Sequence, residues 1–244
     1  MTARQNQAGS STTYEVYQHL RGEVLASKLR PGAQINIAEL TLRLGVSSGA
    51  VREALSRLTA ESLVVAEPHR GFRVSPISAV ELRDITAVRI EVETMCLSRA
   101  ISAGDRVWEA SIVAAFHIMS KLPERSASDP VQLNPEWAVA HSAFHLALVS
   151  CCGSPWLLVL RDNLFRQSER YRQLSSPPAD IERDGLAEHA QIMKATLARS
   201  DDLVASLMTS HLLITMQIII DKGFATEISG TGPLSELHIS RATG

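Results

Sequence analysis

The stretch IAELTLRLGVSSGAVREALSRL, residues 37–58, decides how the first part of this chain folds. Apolar residues recur at helical spacing over 37–44 and again over 48–60. Gly45 suits the left-handed position that ends a helix, and the Ser47 hydroxyl can cap the N-terminus of the next one. The stretch therefore predicts two short helices joined by a tight turn.

The flanking sequence completes a winged helix-turn-helix. A helical pattern over 14–29 comes before the stretch and is stopped by Pro31 and Gly32. Two apolar runs, 63–66 and 72–74, follow it and predict a small hairpin. In such a motif the second helix of the pair lies in the major groove of DNA, with its N-terminal residues nearest the bases.

Two places in this motif hold candidate DNA contacts: the start of the second helix and the tip of the hairpin. Arg52 is the strongest, because a guanidinium can bind guanine or phosphate through two hydrogen bonds. The alternative for Arg52 is a solvated side chain or a pair with Glu53. The predicted contacts are Ser47, Ser48, Gly49, Arg52, His69, Arg70 and Gly71.

The chain stays helical after residue 76, with no strand-period segment. Six helices are predicted at about 78–103, 105–121, 131–151, 155–174, 179–199 and 201–222. The fold class is thus mainly α: a winged helix-turn-helix domain over 14–76 and an all-helical antiparallel bundle over 77–222. Residues 1–13 and 223–244 are predicted to be flexible tails.

Four histidines stand at telling positions in the predicted bundle. His141 and His145 are spaced i,i+4, so both rings leave the same face of one helix. His189 and His211 lie in two later helices, and a bundle can bring such side chains to one interior point. The alternative is four unrelated histidines with hydrogen-bonded core or surface roles. Imidazole donors predict a divalent transition metal, zinc first, with nickel or iron as alternatives.

Arg89, on the first helix of the bundle, is a candidate for binding a ligand. If it points inward it needs an anion, because an unpaired buried charge is costly. The alternative is a salt bridge to Glu93, one turn further on. Asn163 is a weaker candidate for lining a ligand pocket, as are Arg161 and Arg166.

Composition limits the class of protein. The chain has 244 residues, 45% of them apolar, and a net charge of −2 that divides into +1 from Arg4, +2 over 14–76 and −5 over 77–244. This asymmetry suits a basic DNA reader joined to an acidic domain. We find no signal peptide and no apolar run near the ~20 residues of a membrane span. Three cysteines without metal-site spacing fit buried thiols, so a soluble, cytoplasmic protein is expected.

The first part of the chain resembles the DNA-binding domain of the GntR family of transcription regulators. The matching pieces are LRPG at 29–32, AEL at 38–40, LGVS at 44–47, VREAL at 51–55, RL at 57–58 and PHRG at 68–71. The family usually has an arginine where this chain has Ser48. Losing one arginine contact to DNA would cost ~1–3 kcal/mol, so the usual operator sequence is in doubt.

Residues 78–222 resemble the FCD domain, the helical ligand domain of the FadR-type branch of that family. The matching pieces include RIEVE at 89–93, FH at 144–145, GSP at 153–155 and EH at 188–189, and six helices point to the smaller-domain subgroup. In metal-binding members the ligands are an Asp followed by three histidines. Carried over, these positions are His141, His145, His189 and His211. His141 replaces the usual Asp, so the ligands are either four histidines or the last three alone.

Together these features predict a transcription regulator, not an enzyme. We expect it to bind double-stranded operator DNA as a homodimer. Its expected role is that of a repressor, controlled by a small carboxylate effector at the histidine-held metal. A second reading makes the metal ion itself the signal. A third is a metal-dependent enzyme fused to a DNA-binding head. It would need a general base beside the metal, and Glu188, next to His189 in sequence, is the only obvious carboxylate near the four histidines.

Overall fold

The chain consists of two compact units in sequence, with the boundary between Ser78 and Ala79. This computed structural model describes residues 3–128, 132–174 and 183–221. Most of the described residues are helical, which confirms the predicted mainly α class. The predicted C-terminal tail lies outside the described residues.

The first unit contains three helices and a small sheet. Its elements are α1 (Ala3–Leu25), β1 (Gln34–Ile35), α2 (Ile37–Leu44), α3 (Ser48–Ala60), β2 (Val64–Glu67) and β3 (Gly71–Val74). The sheet is antiparallel in the order β1-β3-β2. Its core is built from apolar residues of all three helices and the hairpin, including Leu20, Leu40, Val51, Leu55 and Val74.

The tight turn between α2 and α3 has the predicted geometry. Gly45 has a φ of +65°, the left-handed conformation that glycine adopts without strain. Ser47 caps α3, since its hydroxyl oxygen accepts the Ala50 N–H at 3.2 Å. Strand β1 was not predicted, because a two-residue strand has no periodicity of its own and is defined only by pairing with β3.

The predicted loose tail over 1–13 needs a correction. Helix α1 already begins at Ala3, so the helix includes most of the residues before Tyr14. Residues 3–8, ARQNQA, are good or neutral helix formers. Extending an existing helix costs much less than nucleating a new one, which explains the longer helix.

The second unit is a bundle of six helices within its described residues. They are α4 (Ala79–Ala103), α5 (Arg106–Ser120), α6 (Pro135–Val149), α7 (Pro155–Leu174), α8 (Gly185–Leu197) and α9 (Asp201–Asp221). Two predicted starts were too early. Helix α6 begins only after Asn134, which caps it, with Pro135 in the first turn. Helix α8 follows Asp184, whose side chain accepts the Ala187 N–H.

Helices α4, α6, α7, α8 and α9 enclose the interior that holds the four histidines. Helix α4 packs on α6, α7 and α9, and α8 packs on α9. Helix α9 is long and apolar enough to cross a membrane by length and composition alone. It places Val204, Met208 and Leu212 in the core of the bundle and carries the buried His211.

Candidate functional site

The predicted DNA contacts lie on the surface of the first unit. Ser47, Ser48, Gly49 and Arg52 are exposed at the start of α3. Arg52 has no ion pair among the described residues, because Glu53 pairs with Arg57 instead, at 2.7 Å. The predicted alternative, a pair between Arg52 and Glu53, is not formed.

The tip of the hairpin places the other three candidates together. His69 and Arg70 are exposed in the turn between β2 and β3, and Gly71 is partly exposed. His69 has a φ of +63° and Gly71 of +85°. Glycine adopts the positive φ at position 71 without strain, and its lack of a side chain keeps the turn narrow. The wing therefore presents one charged side chain and one imidazole to solvent.

The four predicted histidines converge at one point inside the second unit. One ring nitrogen of each lies within 4.8 Å of the corresponding atoms of the other three. The Nε2 atom of His145 is central, 3.1 Å from that of His141 and 3.3 Å from that of His189. All four side chains are buried, with at most 6% exposed. The i,i+4 spacing and the packing of α6, α8 and α9 together create this cluster.

Two of the histidines are held by hydrogen bonds at Nδ1. His189 donates its Nδ1–H to the carbonyl oxygen of Gly185 at 2.5 Å, and His211 donates to Oε2 of Glu188 at 2.8 Å. Each bond leaves the Nε2 lone pair of its ring directed away from the partner. Such carboxylate and carbonyl partners are typical of metal-binding histidines.

Electrostatics keep the cluster neutral. Burial lowers the pKa of all four histidines, to about 3 for His189, and neighbouring histidines and arginines lower them further. Burial raises the pKa of Glu188, but hydrogen bonds from Arg183 and His211 outweigh it and bring that pKa to about 2. At neutral pH the cluster thus offers four uncharged imidazoles beside one ionised carboxylate.

The donor set fits a metal ion. Four neutral imidazole nitrogens meet at short distances, and neutral imidazole is the form that binds zinc, nickel or iron. His141 and His145 have no hydrogen-bond partner at their buried Nδ1 atoms. The Trp137 ring stacks on His141, with centroids 4.7 Å apart, and fixes its plane. In a site of this kind a metal would be held by Nε2 atoms.

A cavity of about 220 Å³ opens beside the histidines. Three of them, His141, His189 and His211, form part of its wall. The wall carries more cationic than anionic side chains, namely Arg89, Arg125, Arg172 and Arg183 against Glu124 and Glu169. The arrangement suits a small anion, with apolar walls from α9 on the other side.

Arg89 fulfils both of the alternatives predicted for it. Its side chain is 6% exposed and lines the cavity, while its Nε donates to Glu93 at 3.3 Å. Glu93 also accepts from Arg161 at 3.0 Å, and both guanidinium groups stack on the Phe165 ring, at 4.7 and 4.6 Å. The two Nη groups of Arg89 make no hydrogen bond to described residues.

The structure does not bring Asn163 to the cavity, so that assignment needs correction. Its side chain is exposed and accepts a hydrogen bond from Arg166. Residues two apart on a helix point about 200° from each other. Because Arg161 points into the core, Asn163 must point toward solvent.

Sequence reasoning missed Arg172, Arg183, Glu169 and Arg125 in the cavity wall. One signal was available on α7, where Arg161, Phe165, Glu169 and Arg172 follow each other at spacings of four, four and three. That spacing puts them on one helix face. No comparable signal exists for Arg183, since its partners lie on α8 and α9.

The comparisons with known proteins agree with both units. Residues 12–74 match the family of bacterial regulatory proteins called gntR, and residues 84–213 match the FCD domain. The HTH-type transcriptional regulator BphR of Paraburkholderia xenovorans is 36% identical over 83% of each chain. The HTH-type transcriptional repressor GlaR of Escherichia coli is 35% identical over 85% of this chain and 96% of its own. These relatives are transcription regulators, not enzymes.

Solved structures share the fold. A putative GntR regulator from Rhodococcus matches 86% of this chain with a TM-score of 0.70 at 22% identity. The E. coli protein McbR/YncC matches 86% of it with a TM-score of 0.68 at 20% identity. With these matches, the exposed recognition helix and the helical second unit lead to one conclusion. The chain belongs to the GntR family of transcription regulators, with a GntR helix-turn-helix unit followed by an FCD domain.

Proposed function

We propose that this regulator is a repressor whose affinity for operator DNA is set by a small carboxylate bound beside a histidine-held transition metal. The observation that carries the proposal is the convergence of four buried, neutral imidazoles on the wall of an arginine-rich cavity. A cluster of this kind contributes little to a core by itself. Burying four neutral imidazoles with their Nε2 atoms 3.1–3.3 Å apart around His145 costs stability that bound metal would recover.

The metal would be held by His141, His145, His189 and His211, with zinc favoured by the all-nitrogen donor set. When bound, the ion supplies a Lewis-acidic centre that attracts a carboxylate. Replacing the family's usual Asp by His141 removes one negative charge, which disfavours hard ions such as magnesium or manganese. His141→Asp should shift metal preference toward those hard ions, and a variant with unchanged preference would indicate that His141 does not ligate.

The chain's own residues would hold the effector. Arg89 is the main anchor, because its two free Nη groups lie in the cavity wall on an otherwise buried side chain. A carboxylate accepts two parallel N–H bonds from such a fork. The acid would be small, since the cavity measures about 220 Å³.

The DNA-reading unit would bind as part of a homodimer. The seven candidate contacts, Ser47, Ser48, Gly49, Arg52, His69, Arg70 and Gly71, would face the groove and backbone of one half-site. Two copies related by two-fold symmetry would then read a pseudo-palindromic operator in the cytoplasm. A repressor role follows the relative GlaR, whose name describes it as one.

A titration tests the proposal. Metal-loaded protein and protein stripped by a chelator are each titrated onto operator DNA with and without candidate carboxylates. We expect at least one acid to change operator affinity in the metal-loaded protein alone, and Arg89→Ala to abolish that response. An operator affinity that no acid changes would contradict the effector role.

A second candidate makes the metal itself the signal. It is favoured by the histidine count, because four protein ligands complete the tetrahedral site typical of structural zinc and leave no open position. In that case operator affinity follows the zinc concentration without any organic acid. The same titration, performed with zinc alone, separates the two.

A further inference from the structure

We propose that Arg183 is a positioning residue, which joins the cavity to the metal centre by holding Glu188 against His211. The inference rests on the proposed function, because it assumes that His211 is a metal ligand. It adds a residue to the site that was not recognised in the sequence, and it assigns that residue a role other than anchoring the effector.

The contacts form a continuous chain. Arg183 donates through Nε to Oε1 of Glu188 at 2.8 Å and through Nη2 to Oε2 at 2.6 Å. Oε2 then accepts the Nδ1–H of His211 at 2.8 Å. Arg183 Nη2 also donates to the Thr215 hydroxyl at 3.0 Å, one turn beyond His211 on α9. A two-point fork thus fixes the carboxylate that fixes the histidine.

The position of these hydrogen bonds makes them more than a structural ion pair. Glu188 precedes the ligand His189 on α8, whereas His211 lies on α9, so the carboxylate links both helices of the centre. A carboxylate that accepts the Nδ1–H of a ligating histidine orients the ring and raises its basicity. Arg183 determines where that carboxylate sits, and so determines how well His211 can bind.

The same arginine faces the cavity. Arg183 lines its wall, and its Nη1 group has no hydrogen-bond partner among the described residues. An anion that binds there competes with Glu188 for the guanidinium of Arg183 and so weakens its hold on the carboxylate. Cavity occupancy and metal affinity are therefore coupled through one side chain, and such coupling is reciprocal.

The test measures zinc affinity by competition with a chromophoric chelator. Arg183→Lys keeps the positive charge but loses the planar fork. We expect it to lower zinc affinity roughly tenfold, and Glu188→Gln to lower it roughly 10–100-fold, the range typical of lost outer-shell partners. Both variants should change the visible absorption of the Co²⁺-loaded protein, which a purely structural role would leave unchanged.

Arg199→Lys is the matched control. Arg199 pairs with Glu109 at 2.8 Å in the same unit and contacts none of the four histidines. It should keep wild-type zinc affinity and the wild-type Co²⁺ spectrum. If Arg183→Lys and Glu188→Gln match a zinc-binding wild type in both readouts, the inference is wrong and the proposed function stands. A wild type that binds neither zinc nor Co²⁺ contradicts both.

Discussion

The two units of this protein use charged residues in opposite ways. In the first unit, Arg52 and Arg70 are exposed, and Arg52 has no ion pair among the described residues. In the second, Arg89 and Arg161 are buried around Glu93, and Arg183 is tied to Glu188. The first arrangement suits a rigid, solvated partner such as DNA, whose phosphates supply the missing charge.

The difference shows what each surface must do before its ligand arrives. An exposed arginine without a ligand costs the fold little free energy, because water solvates its charge. A buried arginine or imidazole must be satisfied internally or remain neutral, since burial penalises charge. In the second unit the residues proposed to bind ligand are therefore held in buried hydrogen-bond and ion-pair networks, whereas in the first unit they are exposed to solvent.

Acid should destabilise the second unit more than the first. Burial lowers the pKa of its four buried histidines below the ordinary 6.5. Below pH 6.5 the histidines of the unfolded chain are therefore protonated, whereas those of the folded unit stay neutral. Stability is then full above pH 6.5 and falls as the pH drops toward about 3, by up to ~1.4 kcal/mol per histidine and pH unit. The two histidines among the described residues of the first unit, His19 and His69, are exposed.

Tryptophan fluorescence measures this loss selectively. The three tryptophans, Trp108, Trp137 and Trp156, all lie in the second unit. Denaturant unfolding followed by their emission should give a lower free energy of unfolding at pH 5.5 than at pH 7.5, and zinc should restore part of the loss. Equal values at both pH values would show that the histidines are not buried as neutral groups.

Removing a histidine should separate metal binding from DNA binding. His145→Ala deletes the central donor of the cluster, and one ligand in four accounts for ~3 kcal/mol of a typical zinc affinity, or roughly 100-fold. Chelator competition measures the drop. The metal-free variant should bind operator DNA as the metal-free wild type does. A metal-free variant that binds operator DNA more weakly than the metal-free wild type would show that His145 supports DNA binding by a route other than the metal.

Arg52→Ala should have the reverse pattern. We expect it to weaken operator binding by ~1–3 kcal/mol, since a guanidinium contact to base or phosphate is lost. Zinc affinity should not change, because Arg52 belongs to the other unit. Fluorescence anisotropy with operator DNA and chelator competition measure the two quantities. Ser56→Ala, an exposed change on the same helix, is the control.

Asn163→Ala should have the smallest effect. Its side chain is exposed and outside the cavity wall, so metal affinity and effector response should remain at wild-type values. Arg89→Ala is the contrasting variant, because Arg89 lines the cavity. An Asn163 variant with an altered effector response would restore the original prediction for that residue.

The local features of the fold could be predicted because each depends on neighbouring residues. Gly45 and Ser47 determine the turn between α2 and α3 within three positions. His141 and His145 share a face through helical spacing alone, and the family resemblance adds His189 and His211. The late start of α6 was missed because the apolar periodicity that continues across Asn134 was followed, although Asn134 and Pro135 together are a helix-start signal in the sequence.

The non-local features could not be predicted. The contact of Arg183 with His211 spans 28 residues and two helices. Arg89 could not be assigned from sequence, since both its pairing with Glu93 and its position in the cavity wall depend on how α4 packs against α7 and α9. Asn163 was misplaced because the sequence predicted the helix that carries it but not how that helix is rotated about its axis relative to the core.

The central claim is that one transition metal lies among four imidazoles. Crystals of the protein prepared with zinc, measured on both sides of the zinc absorption edge, test it most directly. We expect one strong anomalous peak in each chain, ~2.0–2.1 Å from the Nε2 atoms of His141, His145, His189 and His211. A histidine cluster with no anomalous peak, or a peak coordinated by other side chains, would contradict it.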